Sequence, residues 1–122
     1  MKKILIVDDD VLIRETVGMA LVQEGFEVSS LEGGAQVVDE VKRSKPDLVI
    51  LDLYMPDING LDVCRALKSD AATKTVPIMI FTGSNETIDV MSGIDAGAFE
   101  YITKPIDGRQ LIAKIHSMID AR

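Results

Sequence analysis

The stretch "LVILDLYMP", residues 48–56, decides how this chain folds. Four apolar residues lead directly into Asp52, and Pro56 ends the stretch. A short, continuous apolar run favours a strand that is buried on both faces, as in a parallel sheet covered by helices. A carboxylate therefore follows the most buried strand of the chain, at the point where that strand leaves the core.

Four further segments favour strands on either side of this one. "ILIV" (4–7) and "IMIF" (78–81) are equally continuous apolar runs. "FEVSS" (26–30) and "FEYI" (99–102) include polar residues, which favours strands at the two edges of the sheet.

Helical periodicity separates these strands, because apolar residues recur there at intervals of three and four. The clearest sets are Ile13, Val17, Ala20 and Leu21 in the first helix and Leu111, Ile115, Met118 and Ile119 in the fifth. Gly25, Pro46 and Gly97 are predicted helix stops.

The alternation predicts an α/β fold of the flavodoxin-like, doubly wound (βα)5 type. Its five-stranded parallel sheet has the order 2-1-3-4-5, with helices on both faces. The 122 residues suit one domain, which we expect to span residues 1–122. In such sheets ligands bind beyond the carboxyl ends of the strands, near the switch point between strands 1 and 3.

The composition excludes several classes of function. Lys and Arg number 13 against 20 Asp and Glu, a net charge of −7, which argues against a broad basic face for nucleic acid or an anionic membrane. The apolar run after the basic start ends at Asp8, which is too short for a secretory signal, and no run is long enough to span a membrane. Cys64 is the single cysteine, so no internal disulfide forms. We expect a cytoplasmic protein.

Polar side chains follow the predicted strands at one edge of the sheet. They are Asp8, Asp9 and Asp10 after strand 1, Asp52 after strand 3, Thr82 after strand 4 and Lys104 after strand 5. Like charges repel in a partly desolvated site, so the acids require a cation. Oxygen ligands without Cys or His suit Mg²⁺ or Mn²⁺ better than Zn²⁺.

Each of these residues also has a plainer interpretation. Asp10 starts the first helix and is as readily its cap as a site residue, and Thr82 is a candidate cap for the fourth helix. Lys104 alone would be an ordinary surface charge. Scattered caps would not choose one edge of one sheet with complementary charges, and this favours a site.

Other candidate chemistry is weaker. No glycine-rich loop follows strand 1, which argues against a dinucleotide site or a P-loop, and Gly33-Gly34 is expected to be a turn. His116 has no obvious partner in the sequence and is expected to be an ordinary residue of the fifth helix. Cys64 lies in an apolar helical stripe and is expected in the core.

In order and spacing, four segments resemble the receiver domain of bacterial two-component response regulators. They are "ILIVDDD", "PDLVILDLYMPDINGLDVCRALK", "PIMIFTG" and "AGAFEYITKPI", and the resemblance covers about residues 3–120. It implies that Asp52 is the phosphoacceptor, which attacks a phosphohistidine. It also implies an Mg²⁺ site formed by Asp52, by Asp9 directly, by Asp8 directly or through water, and by the backbone carbonyl of Tyr54.

The same resemblance assigns the remaining residues. Thr82 would hydrogen-bond the phosphoryl oxygens, and Lys104 would pair first with Asp52 and then with the phosphate. The Lys104–Pro105 peptide bond would be cis. Tyr101 would be the aromatic switch, which rotates into the space that Thr82 vacates.

The implied function is a phosphorylation-controlled signalling switch of a two-component phosphorelay. A sensor histidine kinase or a histidine phosphotransfer protein would supply the phosphoryl group. The face formed by helix 4, strand 5 and helix 5 would then change. The domain would catalyse only its own phosphoryl transfer and slow autodephosphorylation, and so would not be an enzyme acting on other substrates. Tyr54 and Ser84 occupy positions that tune phosphoryl lifetime in the family, which leaves that lifetime open.

The face formed by helix 4, strand 5 and helix 5 departs from the family pattern. Val90 and Gln110 stand where a charged pair is usual in dimeric receivers, and Phe99 replaces an expected acid. Glu100 and Lys114 can still pair. The sequence leaves open a weak homodimer, and it leaves Val90 and Phe99 either in an apolar docking surface or in the core.

A phosphatase of the haloacid dehalogenase type is the alternative. It too uses an Asp nucleophile, Mg²⁺, a Ser or Thr and a Lys, and Asp8 and Asp10 have its D-x-D spacing. Val11 and Leu12 follow where that family favours Gly or Thr. The alternative predicts repeated turnover of a phosphomonoester that depends on Asp8.

Overall fold

The computed structural model of the chain describes residues 1–83, 86–104 and 107–120, apart from the side chain of Thr87. Within these residues, strands and helices alternate. The strands are β1 Lys3–Val7, β2 Glu27–Leu31, β3 Leu48–Leu51, β4 Ile78–Thr82 and β5 Glu100–Thr103. The helices are α1 Val11–Gln23, α2 Val37–Ser44, α3 Gly60–Ser69, α4 Thr87–Asp95 and α5 Gly108–Asp120.

The described strands form one parallel sheet in the order β2-β1-β3-β4-β5, which confirms the predicted topology. β2 and β5 begin one residue later than predicted. Phe26 and Phe99 precede the first paired residues of these strands, Glu27 and Glu100. β2 and β5 are the two edge strands, as their polar residues predicted.

Strand β3 is buried on both faces, as its continuous apolar run predicts. Val49 and Leu51 pack in one core cluster with residues of α2 and α3, whereas Leu48 and Ile50 pack in a second cluster with residues of α1 and α5. Each of the four is at most 2% exposed. Burial of such a side chain stabilises the fold by roughly 1.5–3 kcal/mol, and this fixes β3 at the centre of the sheet.

Helix ends lie where the sequence places them, with one exception. Asp10 caps α1, since its side chain accepts a hydrogen bond from the N–H of Leu12 at 2.9 Å. Gly25 and Gly97 have positive φ just beyond α1 and α4 and so act as stops. Thr82 does not cap α4, because that helix starts at Thr87 and its N-cap position is Glu86.

The remaining expectations about single residues also have clear outcomes. Cys64 is fully buried, and its thiol lies 3.4 Å from the carbonyl oxygen of Ala96, so it is a core residue. His116 is a partly exposed residue of α5 whose ring nitrogens lie 3.6 Å and 3.8 Å from carboxylate oxygens of Glu24 and Asp120. Among the helices that the structure describes, none is long and apolar enough to cross a membrane.

Candidate functional site

Three carboxylates meet at the carboxyl edge of the sheet. β1 and β3 are neighbours with Val7 opposite Leu51, so the residues that follow them emerge side by side. Ligand oxygens of Asp8, Asp9 and Asp52 lie within 4.8 Å of one another. Asp8 is 2% exposed and Asp52 is 7% exposed, whereas Asp9 is open to solvent. The structure therefore brings together the three acids that the sequence assigned to a cation site.

Lys104 lies between two of these acids. Its Nζ is 2.7 Å from Oδ2 of Asp8 and 3.8 Å from Oδ2 of Asp52. The backbone N–H of Lys104 donates to the carbonyl of Thr82 at 2.7 Å, which fixes the start of the side chain. Lys104 was expected to pair first with Asp52. Its contact with Asp52 is the longer of the two, and its shorter contact is with the more buried Asp8.

Burial raises the pKa of Asp52, because a partly desolvated carboxylate favours its neutral form. The charge of Asp8 adds to this increase in pKa. Lys104, a hydrogen bond from the Thr82 side chain and one from the backbone of Leu53 act in the opposite direction. Since burial prevails, the positive charge already present does not fully stabilise the Asp52 anion.

The donor set fits a small divalent cation. Mg²⁺ takes oxygen ligands, usually one or two carboxylates, and keeps several waters. The oxygens of Asp8 are already engaged, because Oδ1 accepts from the N–H of Asp10 at 3.0 Å and Oδ2 pairs with Lys104. Asp9 and Asp52 are thus better placed as direct ligands, and Asp8 is better suited to contact through water.

Thr82 and Tyr101 lie on the two strands beyond β3. Thr82 is 1% exposed and hydrogen-bonds Asp52, as expected of a hydroxyl beside the acceptor. Tyr101 is half-buried and packs against the core cluster beneath α4. A Cβ added at Gly93 would lie 3.1 Å from its ring. Pro105, and with it the expected cis peptide bond, lies outside the described residues, as does Ser84.

A hydrogen bond between Tyr54 and Asp89 was not predicted from the sequence. The hydroxyl of Tyr54 donates to Oδ2 of Asp89 at 2.6 Å, although the two residues are 35 positions apart. The Tyr54 side chain is more than half exposed and links the loop after β3 to the first turn of α4. No sequence signal singles out Asp89, because helix surfaces commonly carry acids.

The fold, the acids and the lysine together define a class of protein. The family model described as "Response regulator receiver domain" matches residues 4–116. The chain belongs to this family, a domain of signalling proteins, as the resemblance predicted. The match gives no support to the phosphatase alternative.

Individual relatives and solved structures agree. The DNA-binding response regulator MtrA of Mycobacterium tuberculosis is 39% identical over 118 residues, which are 97% of this chain and 50% of that protein. A CheY-like receiver domain protein from Methanospirillum hungatei has a TM-score of 0.93 at 27% identity, covering 99% of this chain and 95% of that chain. The beryllofluoride-activated receiver domain of Klebsiella pneumoniae RstA has a TM-score of 0.90 at 26% identity, covering 97% and 98%. The chain spans about half the length of the curated relatives it matches.

Proposed function

We propose that Asp52 accepts a phosphoryl group from a phosphohistidine and that this chemistry switches the domain between two states. The observation that carries the proposal is the position of Asp52. Its carboxylate leaves the central strand beside Asp8 and Asp9, 3.8 Å from Lys104. A nucleophile, acids for a cation and a fixed positive charge therefore share one small site.

The proposed reaction is an in-line phosphoryl transfer. An oxygen of Asp52 attacks phosphorus, the N–P bond of the donor breaks, and its electron pair returns to the imidazole. A bound Mg²⁺, or Mn²⁺, would offset the negative charge that spreads over the phosphoryl oxygens. We assign its direct ligands to Asp9, Asp52 and the carbonyl of Tyr54, with Asp8 bound directly or through water. Lys104 and the hydroxyl of Thr82 remain to hold the transferred group.

We assign the docking of the phosphodonor to the exposed side of α1. Leu12, Met19 and Val22 are 62%, 64% and 59% exposed, and their spacing of seven and three residues places them along one side of the helix. The helix begins directly after Asp10, next to the acids. A sensor histidine kinase or histidine phosphotransfer protein that packs on this stripe would bring its histidine towards Asp52.

The expected cytoplasmic location stays a prediction.

We propose that the output is read on the surface formed by α4, β5 and α5. Phe99 is 63% exposed, so it does not pack in the core, and Val90 is partly exposed. Lys114 lies 3.7 Å from Glu100, the one expected pair of charges in this region. Phosphorylation would draw Thr82 towards the phosphoryl group and change the position of Tyr101. A weak homodimer through this surface stays a prediction, and the net negative charge argues against direct contact with nucleic acid.

Labelling of the acceptor tests this function. Incubation with acetyl phosphate and Mg²⁺, followed by mass spectrometry, should place one phosphoryl group on Asp52. Asp52→Asn should abolish the modification, while Asp62→Asn, a change at an exposed acid of α3, should preserve it. Equal labelling of Asp52→Asn would overturn the proposal. Repeated turnover of a phosphomonoester that is lost in Asp8→Asn would favour the phosphatase instead.

A further inference from the structure

Asp57 ties two loops together at the carboxyl edge of the sheet. Its Oδ1 accepts from the N–H of Gly34 at 3.1 Å, and its Oδ2 accepts from the N–H of Ala35 at 3.0 Å. Oδ1 also accepts from the N–H of Ile58 at 2.9 Å. These backbone hydrogen bonds lower the pKa of Asp57, so the carboxylate is ionised at neutral pH and each bond has a charged acceptor. We call this arrangement the Asp57 clamp.

Gly33 and Gly34 make room for the Asp57 clamp. A Cβ at Gly33 would lie 2.7 Å from Oδ2 of Asp57, and one at Gly34 would overlap the side chain of Ile58. The two glycines therefore allow the backbone after β2 to approach the loop after β3. A turn alone would not require this contact.

The clamped loop carries part of the cation site. The two ends of the loop 52–59 are also joined to each other, because the N–H of Gly60 donates to the carbonyl of Leu53 at 2.8 Å. Tyr54 lies between these two points of attachment. On the other side, Asp9 and Asp57 line a common cavity of about 400 Å³ with Glu32, Gly33 and Pro56. The clamp thus adjoins a cavity that is also lined by Asp9, the exposed acid that is assigned to the cation.

We propose that Asp57 is a positioning residue for the divalent-cation site. This inference rests on the proposed function, because it concerns the carbonyl of Tyr54 as a ligand. By holding the loop 52–59 against the backbone at Gly34 and Ala35, Asp57 fixes that carbonyl relative to Asp9. The carboxylate oxygens that meet at the site belong to Asp8, Asp9 and Asp52, and Asp57 is not among them; its oxygens accept backbone N–H groups instead.

Magnesium affinity of the unphosphorylated protein, measured by calorimetry, tests the proposal. Loss of a residue that orients metal ligands typically weakens metal binding by about tenfold or more. We expect that increase in Kd for Asp57→Ala, and a similar one for Gly33→Ala. In Gly33→Ala the added methyl group pushes the carboxylate aside without removing a charge. Asp62→Asn, which removes an exposed acid of α3, should change the Kd less than about twofold.

Hydrogen exchange gives a second, independent measurement. Coupling between two sites is reciprocal, so Mg²⁺ should slow exchange of the Gly34 and Ala35 amides in the native chain. This protection should be absent in Asp57→Ala. A folded Asp57→Ala variant with the same Mg²⁺ affinity as Asp62→Asn would overturn the inference. If Asp9→Ala also binds Mg²⁺ normally, the proposed cation site itself fails, which is a different result.

Discussion

The ammonium group of Lys104 lies 2.7 Å from a carboxylate oxygen of Asp8 and 3.8 Å from one of Asp52. One cation therefore serves two buried acids that follow different strands. The Lys104 side chain is only 20% exposed, so the interaction is little screened by solvent. The site is under-neutralised, which agrees with the raised pKa of Asp52.

Replacement of Lys104 by Met should destabilise the fold when divalent cations are absent. Breaking a buried ion pair costs about 3–5 kcal/mol, and the partial exposure of Lys104 places the expected loss near the lower limit. Saturating Mg²⁺ should recover part of it. Urea unfolding with chelator and with Mg²⁺ measures both effects. Lys114→Met is the control, because the exposed Lys114–Glu100 pair should contribute about 1 kcal/mol or less. Equal losses for the two variants would refute the buried pairing.

Asp52→Asn should stabilise the protein at neutral pH. The folded-state pKa of Asp52 is raised, so its ionisation costs stability. This cost is fully present above the folded pKa and disappears as the pH falls below the unfolded value of about 3.9. The stabilising effect of the variant should therefore vanish in acid. Unfolding free energies across that pH range provide the measurement, and a gain that persists below the unfolded pKa would contradict this account.

Tyr54→Phe should loosen the first turn of α4. The variant loses only the hydroxyl that donates to Asp89. An exposed hydrogen bond of this kind contributes about 1 kcal/mol, which corresponds to about fivefold faster amide exchange in that turn. Asp89→Ala, which removes the acceptor, should have a similar effect, and the double variant should add little to either. Asp95→Ala, at the last residue of α4, is the control. Additive effects would show that the hydrogen bond does not link the two residues. Phosphoryl lifetimes of the same variants would address the role of Tyr54.

Gly93→Ala should be destabilising although alanine favours helices. The added Cβ would lie 2.8 Å from Ile80 and 3.1 Å from the Tyr101 ring. Overpacking costs about 1–3 kcal/mol, which should exceed a gain in helix propensity of about 1 kcal/mol. Thermal unfolding measures the balance. Gly108→Ala is the matched control, because a Cβ there has no described atom within 4 Å. Truncation of Tyr101 to Ala should relieve part of the loss; an equal loss without the ring would contradict the clash with Tyr101 and leave only the one with Ile80.

Local sequence patterns contained the fold and most of the site. Continuous apolar runs identify strands that are covered on both faces, and the run into Asp52 identified β3 at the centre. The acids, Thr82 and Lys104 were found because carboxyl ends of parallel strands meet at one edge. The glycine pair was less informative, since the pattern indicates a turn and does not reveal that the turn receives Asp57.

By itself, the sequence determined the strand order, the two-sided core and the set of residues at the candidate site. Local periodicity shows which faces of each element are buried, and chain connectivity restricts the order of the strands. The tertiary structure decided which partners these residues choose. It places Lys104 nearer to Asp8 than to Asp52, Tyr54 on Asp89, and Asp57 on the backbone of Gly34. Each choice depends on the direction of a side chain and on the approach of segments that lie far apart in the chain, and no local pattern encodes either.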